Sequence, residues 1–450
     1  MLLVLLAVTS MLPILGLLGT SLSIKVDPEL RETLALGEPT DAYVTAQRSV
    51  HLNTDIFRKW YFGDIIIYKV RLTSLNQLDE IANKRGVISI YAAKRFHHAP
   101  IFFLDPDNYP FKEKDIDNIF HKADGCSWTG RGVTVAIIDS GIDYMHPDFY
   151  DLNNKSIIRM LVSIIFTSNG RCLFWEPYTN GTMQDLLAFD MQTWQTYGEP
   201  AFLDINGHGT HVAGIIAGRG WASERKYVGI APGVQLVVIK AFDKNGNADT
   251  DTCISALNWV YNNSEKYGIK VLNLSWGATF ASDGSDPLSV ACDKIALDKH
   301  VLIFAAAGNE GNIPTTVVVP AVAKHTFAIG AWDAYYNKIA PFSSIGPTKD
   351  LRMKPDLMAA GVMIVSCKSQ YANFGGVYEV GEYYVALSGT SMATPVVAGI
   401  AADFIEYYRY WHSRDPTTND WVAWLNVNVV RINAIKDFIT GWGIPLAPHS

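Results

Sequence analysis

The chain has 450 residues, of which 49% are apolar and 18% charged, with a formal net charge of −7. This excludes a disordered chain, and the absence of any Lys/Arg run excludes the basic footprint of a nucleic-acid binder. The length is enough for a large core and for more than one domain.

From Met1 to Ile24 no side chain is charged, and the stretch from Leu2 to Leu18 is almost wholly apolar. It reads as a secretory signal peptide with a small-x-small pattern at Ser21-Leu22-Ser23, though it is also long enough to stay uncleaved as a bilayer anchor. Either way the rest of the chain is expected outside the cytoplasm, secreted or held at a membrane by residues 1–23. No second segment is long and apolar enough to span a bilayer.

Five cysteines, Cys126, Cys172, Cys253, Cys292 and Cys367, are widely spaced with no C-x-x-C pair, against a zinc-ribbon or thioredoxin-type reading. The odd count leaves at least one thiol unpaired within the chain. Cys253 and Cys292 are expected as plain core cysteines.

After the leader, Ile66, Tyr68, Val70 and Leu72 alternate with Ile67, Lys69 and Arg71, a strand with one buried face. Ser74, with Gln77 three residues on, is a capping-box pattern opening a helix, Gly86 suits its C-cap, and residues 87–91 form a second strand. The composition shifts near Asp105. His97-His98 reads as an exposed pair near a processing site.

Beyond this point buried strands alternate with helices. Apolar runs at 133–138, 234–239, 269–274, 301–307 and 326–329 are typical of strands covered on both faces, with helical stretches at 252–267 and 287–299 between some of them. The spacing predicts an α/β fold, a doubly wound and mostly parallel sheet with helices on both faces. Ligands of such sheets sit at the carboxyl ends of the strands.

Three segments stand out there: Asp139-Ser140-Gly141-Ile142-Asp143, directly after the 133–138 run; Asn206-Gly207-His208-Gly209-Thr210-His211; and Ser388-Gly389-Thr390-Ser391-Met392-Ala393-Thr394-Pro395. A nucleophilic serine needs a base within reach, and that base needs an acid to fix its tautomer. His208 and Ser391 each open a helix, and a helix N-terminus suits an oxyanion. Pro395 is expected in the first helical turn, where proline is tolerated.

Taken together and in the order Asp, His, Ser, these segments resemble the signature motifs of the subtilases, the peptidase S8 family, over roughly residues 125–410. The resemblance implies a subtilisin-like serine endopeptidase acting through an acyl-enzyme. Asp139, His208 and Ser391 would be its catalytic residues, with Asn309, from Ala305-Ala306-Ala307-Gly308-Asn309, as oxyanion donor. Substrate would bind as an extended strand between Ser275-Trp276-Gly277 and Ala306-Ala307-Gly308. Trp276 stands where the family often has leucine and is expected to narrow the subsites; with Val317-Val318-Val319 it suggests apolar substrate side chains.

The implied organisation is a signal peptide at 1–23, a small α+β, ferredoxin-like, inhibitor-type propeptide at 24–105 and a catalytic domain at 106–450. The propeptide would inhibit the enzyme until self-cleavage between Phe96 and Pro110; an accessory domain is the alternative. Partners are protein or peptide substrates and no nucleic acid. No cofactor is required for the chemistry, structural calcium is left open, and no metal ligand is assigned. His208 and His211, three apart without a glutamate between, do not form an H-E-x-x-H zinc pattern. The run from Asp243 to Asp251 reads as a loop before a helix rather than a calcium loop. Asp143 and Asp148 are structural or charge-tuning carboxylates, and residues 151–200 read as an insertion, either a packed surface layer near the cleft rim or a plain structural elaboration. Two rival readings are a proprotein processor of narrow specificity and a non-catalytic scaffold on the same fold.

Overall fold

The computed structural model describes residues 26–98, 128–165, 172–177, 179–375 and 378–448; the apolar leader, Cys126 and the expected cleavage stretch beyond His98 lie outside the described residues. The chain divides into two compact units: residues up to Lys59 with Asp64–Ala92, and Trp60–Gly63 with the residues from Ala93 onward.

The first unit runs α1 (Pro28–Ala35), β1 (Thr40–Gln47), β2 (Ile56–Phe62, its end from Trp60 counted with the second unit), β3 (Ile65–Leu72), α2 (Leu75–Ala82) and β4 (Val87–Ala92). Its sheet has the order β2-β3-β1-β4, with β1 antiparallel to both β3 and β4. A ferredoxin-like unit runs β-α-β-β-α-β; here the first helix stands before the first strand instead of after it. Ile66, Tyr68, Val70 and Leu72 face a core completed by Leu30, Leu34, Leu78 and Ile81. At α2 the Ser74 hydroxyl accepts the Gln77 amide at 3.3 Å, but Gln77 reaches back to the Thr73 amide (2.9 Å), one residue before the one a capping box uses. The helix is capped by Asn83 rather than Gly86, which turns the chain into β4 at φ +93°.

The second unit begins with β5 (Arg95–His98), β6 (Thr134–Asp139), β7 (Ile158–Ser163), β8 (Leu173–Trp175), α3 (Met183–Tyr197), α4 (His208–Ala217), β9 (Gln235–Lys240) and β10 (Asn247–Asp249). It continues with α5 (Thr250–Tyr267), β11 (Ile269–Leu274), β12 (Trp276–Gly277), α6 (Pro287–Lys299), β13 (Leu302–Ala306), β14 (Thr326–Asp333), β15 (Lys338–Ile339) and β16 (Leu357–Ala360). Then come β17 (Ile364–Cys367), β18 (Glu379–Val380), β19 (Tyr384–Leu387), α7 (Thr390–His412) and α8 (Thr418–Leu425).

The main sheet has the order β15-β14-β13-β11-β6-β9-β7-β8, with β16 beside β14. Its central pairs are parallel and its edge strands β8 and β15 antiparallel. Strands β6, β13 and β14 are buried along their whole length, which requires cover on both faces. From β6 the chain winds out to β7 and β9 on one side, then to β11, β13 and β14 on the other. The carboxyl end of β6 is therefore the switch point where such sheets bind ligands. Within the stretch read as an insertion, β7 is a strand of this sheet and pairs with β9, so that part is core and not surface layer. No described helix is long and apolar enough to cross a membrane.

Trp421 of α8 is fully buried, with ring centroids 5.2 Å from Phe404 and from Trp424 and 5.9 Å from Phe304. Trp421→Ala is expected to cost about 3–5 kcal/mol, read as a lowered urea midpoint.

Candidate active site

Asp139 is the last residue of β6 and is fully buried. Its Oδ1 accepts the His208 Nδ1–H at 2.8 Å and the Ser140 amide at 2.8 Å. A carboxylate on Nδ1 fixes the imidazole tautomer and leaves Nε2 open; that nitrogen has no hydrogen-bond partner among the described residues. Burial alone would raise the Asp139 carboxyl, but the neighbouring rings of His208 and His98 outweigh it and hold the group well below the usual carboxylate range.

His208 is placed by Asp204, four residues before it. The buried Asp204 carboxylate accepts the amides of Asn206 (3.1 Å), Gly207 (2.7 Å) and Thr210 (2.8 Å) and the hydroxyls of Ser140 (2.9 Å) and Thr210 (2.7 Å). It thereby caps α4 and ties it to the residue after Asp139. Gly209 lets the helix come this close: a Cβ there would stand 2.2 Å from the Gly141 carbonyl oxygen and 3.2 Å from Asp139 Oδ1. Lys240, also buried, donates to the carbonyls of Ser140 (2.6 Å) and Leu203 (3.1 Å), bracing the two loops that carry Asp139 and Asp204.

Ser391 is the second residue of α7. Its hydroxyl donates to the Ser275 carbonyl at 2.8 Å, and the Ser275 hydroxyl donates to the Ser391 carbonyl at 2.9 Å. The second bond follows from Pro395. This proline lies in the second helical turn, not in the first as expected, because the helix starts at Thr390. It has no N–H for the carbonyl four residues back, and Ser275 takes that place. Asn309 turns its carbonyl oxygen to the Thr390 amide (2.9 Å) and hydroxyl (2.8 Å), which sets its Nδ2, a donor, on the opposite side. A Cβ on Gly389 would stand 3.2 Å from that Nδ2 and 3.6 Å from the Ser391 amide nitrogen, so the two nitrogens converge on one small space at the start of α7. Two N–H donors at a helix N-terminus can hold a developing oxyanion.

The edges of β10 and β12 face each other, and β5 lies between them as the middle strand, antiparallel to both. His98 is therefore buried, correcting its reading as an exposed residue: two strands more than a hundred residues away enclose it. Its ring stacks on His208 with centroids 3.9 Å apart, and its Nε2 lies 3.1 Å from Asp139 Oδ1, in ion-pair range but too oblique for a hydrogen bond. Burial, then the His208 ring, lowers the His98 pKa against the pull of Asp139. Trp276 is fully buried; its Nε1–H donates to the Ile138 carbonyl at 2.9 Å and its ring meets Phe96 edge-on at 5.8 Å. Ala306, Gly308, Gly277 and Val318 line a cavity of about 10 Å³ beside Asn309. The Ala307 carbonyl faces away from the cleft and accepts the Val318 amide at 3.0 Å.

The subtilase family description (peptidase S8) matches residues 130–443. This chain belongs to the subtilase family. It is 32% identical over 293 residues to serine protease AprX of Bacillus subtilis strain 168, covering 62% of this chain and 58% of that protein. It is 32% identical over 286 residues to subtilisin NAT of Bacillus subtilis subsp. natto, covering 63% of this chain and 58% of that protein. The match thus spans little more than half the length of either relative. The fold is similar to that of the Clostridium perfringens CspB protease, with a TM-score of 0.58 at 18% identity over 71% of this chain and 94% of that one.

The subtilase motifs pointed to Asp139, His208, Ser391 and Asn309, and all four side chains lie around the carboxyl ends of β6, β11 and β13. The positioning groups Asp204, Lys240 and Thr390 and the cleft residue Phe242 went unread. Asp204 and Thr210 flanking His208 form a helix-cap signal, and Phe242 lies just past β9, where the strand-end rule directs attention. Two further groups of this subtilase are hydrogen-bonded cores. His211 donates from Nε2 to the carbonyls of Ile364 (2.9 Å) and Val385 (3.1 Å). His146 accepts the Asp148 amide on Nδ1 and bonds the Tyr383 carbonyl through Nε2, so although it lies with Asp148 and Cys367 in a ligand-like cluster, neither ring nitrogen is open to a metal. Asp143 accepts the amides of Met145 (3.1 Å) and Gln370 (3.0 Å). In the 243–251 run, Asp243 accepts the amides of Asn245 and Asn247, a tight turn leading into β10 and α5. Cys253, Cys292 and Cys367 are buried free thiols.

Two measurements follow. Asp204→Ala is expected to cost at least about 3 kcal/mol, since hydrogen bonds to a charged acceptor are each worth about 1.5–3 kcal/mol; Ser140→Ala should cost less, both read by urea unfolding with Ser391→Ala. Burial lowers the His211 pKa to about 3. A depressed histidine binds its proton in the unfolded chain first, so stability should fall as pH drops from about 6.5 toward 3, by on the order of 4 kcal/mol. His211→Gln should flatten that part of the stability profile.

Proposed function

We propose that this chain is a secreted serine endopeptidase made as a self-processing zymogen. One observation carries the reading: β5 lies as an added strand between β10 and β12, and its last residue, His98, stacks on the His208 ring. Main-chain pairing of this kind binds extended peptides with little regard to sequence. In the proposed reaction the Ser391 hydroxyl turns from the Ser275 carbonyl to His208 and attacks the peptide carbonyl. The Oγ–C bond forms as the proton passes to Nε2. Asp139 stabilises the imidazolium, while the Asn309 Nδ2 and the Ser391 amide bind the oxyanion. Collapse expels the amine with the proton from His208, and water then releases the acyl group by the same steps in reverse. The Bacillus relatives named as subtilisin and serine protease support this chemistry.

The first unit is assigned as an inhibitor-type propeptide and residues 1–23 as the signal peptide. His97 of β5 lines the cavity beside Asn309 together with Gly277, Gly308 and Val318.

The test is labelling with a fluorophosphonate probe before and after removal of the first unit. Labelling at Ser391 after removal, lost in Ser391→Ala, is expected; no labelling of the folded protein once that unit is removed overturns the proposal. Asn309→Ala should lower kcat by about 100- to 1,000-fold with KM little changed. N-terminal sequencing should find a later start in the wild type than in Ser391→Ala; identical starts would exclude self-processing.

A further inference from the structure

Side chains alternate along a strand. In β5 this directs Phe96 and His98 to one face and His97 to the mouth of the small cavity. The His98 ring stacks on His208 at 3.9 Å with 11° between planes, and on Phe242 at 4.7 Å with 30° between planes. Two rings cannot share one face of an imidazole at these distances without overlapping, so His208 and Phe242 flank it. Behind Phe242 stands Trp276, with centroids 5.3 Å apart, itself anchored to the Ile138 carbonyl. The wall is thus a fixed aromatic surface and not a flexible aliphatic one.

The register says which residue of a peptide this is. His98 pairs with Trp276, so a bound peptide that keeps this antiparallel register sets its following residue opposite Ser275, whose carbonyl accepts the Ser391 hydroxyl. A bound peptide that follows β5 therefore presents to Ser391 the carbonyl one residue beyond the position of His98.

We propose that His208 and Phe242 are the walls of a subsite selective for a planar side chain at the second residue before the cleaved bond, with Phe242 its specificity-determining residue. This rests on the endopeptidase reading and adds a substrate class to it: extended peptides carrying a flat ring at that position. A branched aliphatic side chain is thicker than a ring and has to part the walls. An imidazole fills the slot differently from a phenyl ring, since it also reaches the Asp139 carboxylate that His208 depends on. A histidine there binds well and turns over slowly, whereas phenylalanine or tyrosine binds without touching Asp139.

Two measurements on the full chain test this. The first needs no catalysis. In a Ser391→Ala background, hydrogen exchange is followed in the fragment containing β5, where the His98 amide donates to the Gly246 carbonyl at 3.1 Å. His98→Phe should keep the protection of the parent, while His98→Leu should exchange about fivefold faster, as expected for losing aromatic stacking, with the main sheet unchanged. Phe242→Leu should abolish the difference between the two. Equal protection in His98→Leu and His98→Phe overturns the slot.

The second measurement compares fluorogenic peptides that differ at this residue. Ratios of kcat/KM within one preparation do not depend on how many clefts β5 occupies. A ratio of about five or more for Phe over Leu is expected, falling to near one in Phe242→Leu, with both KM and kcat lower for His than for Phe. Hydrolysis with equal kcat/KM for Phe and Leu overturns the slot and leaves the endopeptidase standing. No hydrolysis and no labelling of Ser391 overturns the endopeptidase, and the exchange experiment then judges the slot on its own.

Discussion

Asp139 is an ionised carboxylate with no solvent exposure at the end of the central strand. A charge in such a place is tolerated when hydrogen-bond donors surround it. Here Ser140 and His208 supply them, and each is fixed by something else. Ser140 is bonded to Asp204, Asp204 caps the helix that carries His208, and Lys240 braces the carbonyls of both loops. The arrangement is over-determined: α4 cannot shift without leaving either Asp139 or Asp204 short of donors. This is why the glycine after His208 is needed, since the close approach leaves no room for a Cβ.

The other half of the site depends on a helix with a defect. Pro395 removes one hydrogen bond from the second turn of α7, and the Ser275 hydroxyl replaces it. The Ser275 hydroxyl is held in turn by the Asn273 amide at 2.9 Å on β11. A helix fault thereby becomes a joint between the Ser391 helix and the end of β11. Thr390 does the same for Asn309, consuming its oxygen so that the nitrogen faces the oxyanion space.

The sheet was legible because its strands are continuous apolar runs, and a run covered on both faces has little else it can be. Asp139 and His208 were legible because each stands at an element boundary beside small residues. What escaped the sequence was whatever depends on contacts between distant segments. Arg95-Phe96-His97-His98 carries no apolar run, and its burial comes from strand edges at 247–249 and 276–277. Pro395 was misplaced by one turn because its tolerance comes from a serine 120 positions earlier and not from helix geometry. Lys240 is buried against the Ser140 and Leu203 carbonyls and 3.0 Å from the Glu199 carboxylate, contacts that no local pattern discloses.

The two-sided pairing of β5 also bears on competition. On the proposed zymogen reading the strand is covalently part of the chain whose cleft it fills, so it competes with any free peptide at an effective concentration on the order of millimolar. Affinity for outside peptides then matters less than the continuity of the backbone on either side of the strand. While the chain is whole, a free peptide has to exceed that local concentration to enter. Once the backbone is severed, the same four residues become an ordinary dilutable ligand, and occupancy of the cleft passes from a property of the molecule to a property of the solution.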